Sequence, residues 1–208
     1  MLSLVVIVGL FAFGCGDSSD ESSNGESSYE RPDDTQDFID DDDLEEFEDN
    51  GLSIHDGDSP PDIEATYFFG DFSVTYTDSA TYPPSGGDPC HSEKTYTAVS
   101  DDEYEESYTS PNCDSEGDGI AHYISGEESC FTLYRKGSST FEGCEQETVG
   151  LLSACLNDDG DMEDPKSGKL RLSNEGEDCD ELVAQGSILG EGERAITEQD
   201  DGMAERIE

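Results

Sequence analysis

Apolar and polar side chains begin to alternate regularly at residue 63. Phe68, Phe72, Val74 and Tyr76 fall on one face of the segment 65–77, with the period of two that is typical of a β-strand. The same alternation predicts further strands at residues 94–100, 104–108, 119–125, 130–135, 140–144, 148–156, 169–173 and 186–189. Turn-forming runs separate these segments, and no helical period of any length occurs between them. We therefore predict one all-β domain over residues 63–190, folded as an antiparallel sandwich or barrel.

The segment before this domain is dominated by acidic residues. Between residues 16 and 50, Asp and Glu are opposed only by Arg31, and such a composition buries too little apolar area to offset the entropy of ordering the chain. We predict a disordered acidic tether over residues 15–62 and an acidic tail over residues 191–208. An alternative is that the apolar residues interrupting the acids fold on a partner. These residues are Phe38, Ile39, Leu44 and Phe47.

The first fourteen residues form an apolar run that stops at Gly14. A helix that spans a bilayer needs about 20 apolar residues, so this run is too short to cross one. Its length fits the apolar centre of a signal peptide, which is removed from the mature protein. We therefore predict a signal peptide over residues 1–14 and export of the remainder.

The end of this run, Leu10-Phe11-Ala12-Phe13-Gly14-Cys15, resembles the cleavage box of bacterial lipoprotein precursors. The resemblance covers only the N-terminal signal. It implies that Cys15 becomes the first residue of the mature protein and carries acyl chains, palmitate among them, which anchor it to a membrane. It also implies a location in the bacterial cell envelope, either periplasmic or exposed at the surface. The alternative is ordinary cleavage, with Cys15 as a cysteine without lipid.

The charge of the chain is strongly one-sided. The sequence has 54 acidic and 9 basic residues, a formal net charge of −45. Nucleic-acid binding needs a basic face, and the basic residues are too scattered along the sequence to predict one, so this class of function is excluded. The acids indicate either specific cation binding or a surface adapted to salty surroundings. We favour the second because they are spread over the whole chain.

Six cysteines remain beyond Cys15, and an even number in an exported chain predicts disulfides rather than a zinc site. They are Cys90, Cys113, Cys130, Cys144, Cys155 and Cys179. A hairpin folded about Gly137 would place Cys130 opposite Cys144, and we predict that these two are paired. The other pairings are left open because six cysteines allow 15 connectivities.

Two acidic runs partly resemble a calcium-binding loop. The first contains Asp114, Glu116 and Asp118, but its twelfth position holds Ser125 where a bidentate glutamate is expected. The second contains Asn157, Asp159 and Asp161. These are the candidate metal ligands, with calcium as the one cofactor considered. The sequence predicts no catalytic residue: a nucleophile elbow is missing, and the three histidines do not form a recognisable catalytic set.

The predicted function is a non-enzymatic binding or envelope-structural role, with the membrane as a partner through the lipid anchor and with a protein or small-molecule ligand that the sequence does not identify. One alternative is an extracytoplasmic hydrolase that uses two carboxylates about 5–10 Å apart. A second is a β-barrel carrier of a small apolar ligand. It rests on the aromatic-rich strand 65–77, which is vaguely similar to the opening strand of lipocalin-like barrels.

Overall fold

The computed structural model describes residues 29–82, 91–112 and 115–207. The strands are β1 Asp58–Ser59, β2 Ala65–Phe69, β3 Phe72–Thr77, β4 Ser92–Ala98, β5 Glu103–Ser110, β6 Ser115–Glu127, β7 Cys130–Phe141, β8 Cys144–Leu156, β9 Met162–Glu175, β10 Arg194–Gln199 and β11 Met203–Ile207. The helices are a 3₁₀-helix at Asp33–Asp37, α1 at Asp41–Asp49 and α2 at Cys179–Ala184. The predicted signal peptide, Cys15, Cys90, Cys113 and Asp114 lie outside the described residues.

Eight strands close into an antiparallel barrel. Strands β4 to β9 each pair with the next strand along the chain, β2 pairs with β4, and β11 pairs with both β2 and β9. Strand β10 also lies along β9, and β3 lies along β10, so the two widen the wall on that side. The all-β prediction is confirmed, and of the two predicted architectures the barrel is the one that forms.

The β7–β8 hairpin corrects the predicted disulfide. Strand β7 continues through Gly137 to Phe141, and the turn is made by Glu142 and Gly143, which have φ values of 47° and 85°. Positive φ at both positions is typical of a type I′ turn, whose twist suits a two-residue hairpin. Cys144 therefore lies opposite Phe141, far from Cys130. The predicted Cys130–Cys144 pair is wrong.

The described cysteines instead form two disulfides. Cys130 lies opposite Cys155 on β8 and is bonded to it. Cys144, at the start of β8, is bonded to Cys179 at the start of α2. The first disulfide joins neighbouring strands near the β6–β7 turn, whereas the second attaches α2 to the opposite end of the barrel.

The acidic N-terminal segment folds onto the outside of the barrel. Leu44, Phe47 and Leu52 are fully buried in a cluster with Val149 and Leu170. Phe38 and Ile39 belong to the same cluster, so these apolar residues meet the barrel of their own chain. The predicted disordered tether is therefore wrong for residues 29–62, because this apolar face buries enough area to order the segment.

Local chemistry fixes where helix α1 starts. The side chain of Asp40 accepts a hydrogen bond from the Asp43 amide at 2.8 Å, and the acids of the first turn lie at the positive end of the helix dipole. Arg31 is buried and pairs with Asp41 at 3.0 Å. Part of the acidic run therefore stabilises the helix that it begins.

The C-terminal residues complete the barrel. Ala195 and Ile196 on β10 and Ala204 on β11 are buried, so the predicted tail is wrong for residues 191–207. These short strands escape detection because each presents only one or two apolar positions among charges. The strand predicted at 186–189 is also wrong. This stretch follows α2, and Ile188 packs there with Leu182 beside the Cys144–Cys179 disulfide.

A large apolar cluster fills one end of the barrel interior. Its buried members include Ile63, Tyr67, Ile124, Phe131 and Met162. This cluster lies toward the β6–β7 turn, while the outer cluster beneath α1 lies on the other face of β7, β8 and β9. Among the described residues, neither α-helix has the length and apolar character needed to cross a bilayer.

Candidate functional site

A cavity of about 330 Å³ lies inside the barrel, next to the apolar cluster. Its apolar wall consists of aromatic and aliphatic side chains, among them Phe69, Phe72, Tyr96, Tyr108 and Leu152. Its charged and titratable wall consists of Lys94, Glu106, His122, Arg135 and Lys169. The cavity therefore combines an apolar surface, which could contact the apolar part of a small molecule, with a cluster of polar groups.

The period of two along the strands directs these polar side chains inward. Lys94 lies two residues from Tyr96 on β4, and Arg135 lies two residues from Leu133 on β7, so each shares a face with a residue of the interior cluster. Small residues keep the space open, because Gly150 and Ser167 line the cavity at positions where large side chains would fill it.

Glu106 lies at the centre of a network of charged and titratable side chains. Its side chain is 1% exposed, and its Oε2 atom lies 3.4 Å from Lys94 Nζ and 3.3 Å from His122 Nε2. Burial opposes ionisation of the Glu106 carboxyl, but Lys94, His122 and Arg135 outweigh it and hold the pKa below its usual range. Glu106 is therefore a carboxylate at neutral pH and balances the charge of Lys94.

The Tyr96 hydroxyl and the Nδ1 atom of His122 have hydrogen-bonding capacity that no described residue uses. Burial lowers the pKa of His122, whose side chain is 5% exposed, so the ring is neutral at pH 7. Its Nε2 atom faces Glu106, to which an N–H there can donate, whereas its Nδ1 atom and the buried Tyr96 hydroxyl make no hydrogen bond within the described residues. Buried polar atoms nearly always have partners, so these two atoms are available to a bound molecule.

Lys169 is surrounded by positive charge. Desolvation by the atoms of the barrel wall, together with the charges of Arg135, Lys94 and Arg171, lowers its pKa to about 8, and no acidic group is among these causes. The residue is nevertheless exposed, which we attribute to the open cavity that it lines. Lys169 thus combines a desolvating environment with access to the interior space.

Gly150 separates Arg135 from Lys169. In the strand register, Arg135 on β7 and Lys169 on β9 both lie opposite Gly150 on β8. A Cβ atom at Gly150 would be 2.7 Å from Arg135 Nε, closer than such atoms approach in proteins, and 3.1 Å from Arg135 Cγ. The guanidinium side chain therefore lies over the glycine, on the same row of the wall as Lys169.

The cavity has an excess of positive charge in a chain that is otherwise acidic. Lys94, Arg135 and Lys169 line it, and Glu106 is the only carboxylate among its described lining residues. Arg171, the next inward residue on β9, is 7% exposed and adds a fourth cation nearby. These basic residues are scattered along the sequence, and the closed barrel brings them together because it places distant strands side by side.

The predicted calcium ligands that lie within the described residues form no metal-binding cluster. Glu116 lies on strand β6 and is exposed. The Asn157 side-chain oxygen accepts hydrogen bonds from the amides of Asp159 and Asp161, at 2.9 and 3.0 Å. Asp161 Oδ1 accepts a hydrogen bond from the Arg206 amide at 2.8 Å. These oxygens stabilise a turn and a strand contact. Asp118 also lies on β6, apart from this second loop.

One other group of possible metal ligands occurs within the described residues. Ligand atoms of His55, Cys130 and Cys155 lie within 4.8 Å of one another. The two sulfur atoms form a disulfide and offer no thiolate. In this oxidised state the group is a structural crosslink beside a histidine.

Comparison with protein-family models, with curated proteins and with solved structures found no match. The class of protein is therefore defined by the fold and the site themselves. The chain is a closed, eight-stranded antiparallel β-barrel, covered on one side by an N-terminal helix, with a positively charged cavity in its interior.

Proposed function

We propose that this chain is a non-enzymatic binding protein that carries one small organic molecule inside its barrel. The observation that carries the proposal is the interior cavity of about 330 Å³, a volume within the range of small-molecule sites. Binding sites of this kind combine an apolar wall with a few polar groups that fix orientation. Phe69, Phe72 and Leu152 supply the first, and Lys94, Glu106 and Lys169 supply the second.

The alternatives receive less support from the same cavity. Hydrolysis by two carboxylates needs an acid and a second carboxylate about 5–10 Å apart. The described lining residues include a single carboxylate, Glu106, and it is already paired with Lys94. A purely structural role in the envelope needs only a barrel whose interior is filled. Such a role does not explain the buried polar atoms that have no hydrogen-bond partner among the described residues.

A neutral fluorescent amphiphile, N-phenylnaphthylamine, tests the proposal. The full chain is prepared with Cys15→Ser so that no acyl chain competes for the probe. We expect saturable binding of one probe per chain. Ser167→Phe places a ring in the cavity and should abolish binding, whereas Ser138→Phe makes the same exchange at an exposed position on β7 and should not. Absence of saturable binding, or equal binding by both variants, would contradict the proposal.

The same chain is proposed to be a lipoprotein of the bacterial envelope, anchored through Cys15. The support is the apolar leader and the box that ends at Cys15. Only 13 residues, 16–28, separate Cys15 from the first described residue, so the barrel would be held near the lipid surface. Intact-mass measurement should find an acylated Cys15 at the mature N-terminus. A Cys15→Ser protein that still partitions with membranes would contradict the anchor.

A further inference from the structure

We infer that the carried molecule bears an anionic group, a carboxylate or a phosphate, which is bound between Arg135 and Lys169. This inference rests on the proposed binding function and goes beyond it by naming the chemistry of the ligand. It places the anion against one row of the barrel wall and the organic body of the ligand against the aromatic side chains across the cavity.

The first support is uncompensated charge. The chain has 54 acidic residues, yet among the described residues Arg135 and Lys169 form no ion pair with any of them. Glu106 is engaged by Lys94 and His122. Arg135 is partly buried and Lys169 is exposed, yet both line one cavity, where two like charges repel each other unless an opposite charge lies nearby. An anionic ligand supplies the missing counter-charge.

The second support is the geometry around Gly150. Because this residue has no side chain, the Arg135 guanidinium can lie over β8 while Lys169 approaches the same point from β9. A guanidinium group offers a fork of donors that matches two oxygens of one anion, and an ammonium group adds a compact charge. The two side chains therefore form complementary halves of an oxyanion site.

The third support is an unused donor in the same cavity. The Tyr96 hydroxyl is buried and has no hydrogen-bond partner among the described residues. A tyrosine can donate one hydrogen bond to an oxygen atom. The opposite wall carries Phe69, whose ring lies 5.3 Å from Lys94 Nζ. This arrangement suits a molecule with one charged end and one apolar end.

Two matched probes test the inference. Anilinonaphthalenesulfonate and N-phenylnaphthylamine share a ring system, but only the first carries an anionic group. With the full chain bearing Cys15→Ser, we expect the anionic probe to bind at least about tenfold more tightly. Lys169→Met should remove most of this preference while leaving the affinity for the neutral probe nearly unchanged. Lys169→Arg, which keeps the charge, should retain the preference.

The matched control is Lys136→Met, the same exchange on β7 at a lysine that is exposed and pairs with Glu147. It should leave both affinities unchanged. Equal affinities of the two probes, with no effect of Lys169→Met, would overturn the inference and leave the proposed function standing. Failure of both probes to bind would overturn the proposed function itself. Displacement by octanoate or by octyl phosphate identifies the anion class, and equally strong displacement by octanol would count against an anion.

Discussion

Arg135 and Lys169 lie on either side of Gly150, in register across three neighbouring strands. The glycine leaves room for the arginine, since a Cβ atom at that position would come within 2.7 Å of Arg135 Nε. Two like charges consequently share one row of the barrel wall, inside a chain whose formal charge is −45. An anion bound between them, as we propose, would offset the repulsion between the two charges.

Gly150→Ala should weaken binding of an anion without unfolding the barrel. The added methyl group forces the flexible Arg135 side chain to move, so the oxyanion site loses one half of its donors. We expect affinity for anilinonaphthalenesulfonate to fall about tenfold. Gly137→Ala is the control, because nothing lies within 4 Å of a Cβ atom there and the residue is on the same strand as Arg135. Equal effects of the two exchanges would contradict the assigned geometry.

Glu106→Gln should destabilise the fold. The exchange leaves Lys94 without its counter-charge in a site where the carboxylate is 1% exposed, and we expect a loss of about 2–4 kcal/mol in the free energy of unfolding at pH 7. Because the folded pKa of Glu106 is depressed, its stabilisation is complete above about pH 4.5 and is lost as pH falls below that value.

Urea denaturation of the wild type and the variant at pH 7 and in acid measures this difference. Glu105→Gln is the matched control, since Glu105 is the neighbouring residue on β5 and is exposed. It should cost little at either pH. A Glu106→Gln protein as stable as the control would show that Lys94 does not depend on this carboxylate.

Lys169→Met should raise the stability of the unliganded protein. Lys169 is charged at pH 7, and the charge is disfavoured by burial and by neighbouring cations, which lower its pKa to about 8. Between about pH 8 and its ordinary pKa of 10.5, the unfolded chain binds a proton that the folded chain does not, so wild-type stability rises with pH relative to the variant. The advantage of Lys169→Met is therefore largest at pH 7 and shrinks toward pH 10.5. Denaturation curves of the wild type and Lys169→Met at pH 7 and near pH 10.5 measure this difference in the free energy of unfolding. Lys136→Met is the control.

The strand pattern was predictable because the interior cluster obeys a simple period of two. Segments 94–100, 104–108, 119–125 and 148–156 coincide with β4, β5, β6 and β8 to within a few residues. Apolar residues on one face of a strand are a strong local signal, and the turn-forming runs between segments separate them. The sequence could not choose between sandwich and barrel, since closure depends on β11 pairing with both β2 and β9.

The cavity was not predictable because the apolar face of the barrel wall points outward where α1 covers it, and the polar face points into the barrel. On β9, Leu170 alternates with Lys169 and Arg171, and the usual assignment would place the leucine inside. The structure reverses this: Leu170 packs against the outer helix layer, and Lys169 points into the cavity. Because the outer layer was not recognised, the sequence assigns the residues of β9 around Leu170 to the wrong faces.

Disulfide mapping should find Cys130 bonded to Cys155 and Cys144 bonded to Cys179. The loops closed by these bonds span 25 and 35 residues, and removing either bond should cost about 3–4 kcal/mol in the free energy of unfolding. Paired substitutions, Cys130→Ala with Cys155→Ala and Cys144→Ala with Cys179→Ala, measure the two costs separately. A peptide containing Cys130 bonded to Cys144 would contradict the observed hairpin register.

Phe47→Ala should destabilise the whole domain, although the residue lies in a stretch whose composition predicts disorder. Phe47 is fully buried and contacts the region of Gly168, where a Cβ atom would lie 3.0 Å from its ring. We expect a loss of about 3–5 kcal/mol in the free energy of unfolding, the usual cost of removing a buried phenylalanine. Glu45→Ala, an exposed residue of the same helix, should change stability by well under about 1 kcal/mol. If both variants unfold at the same denaturant concentration as the wild type, the helix is not part of the cooperative unit. Leu170 would then have no outer layer to pack against. The inward orientation of Lys169 would lose its explanation.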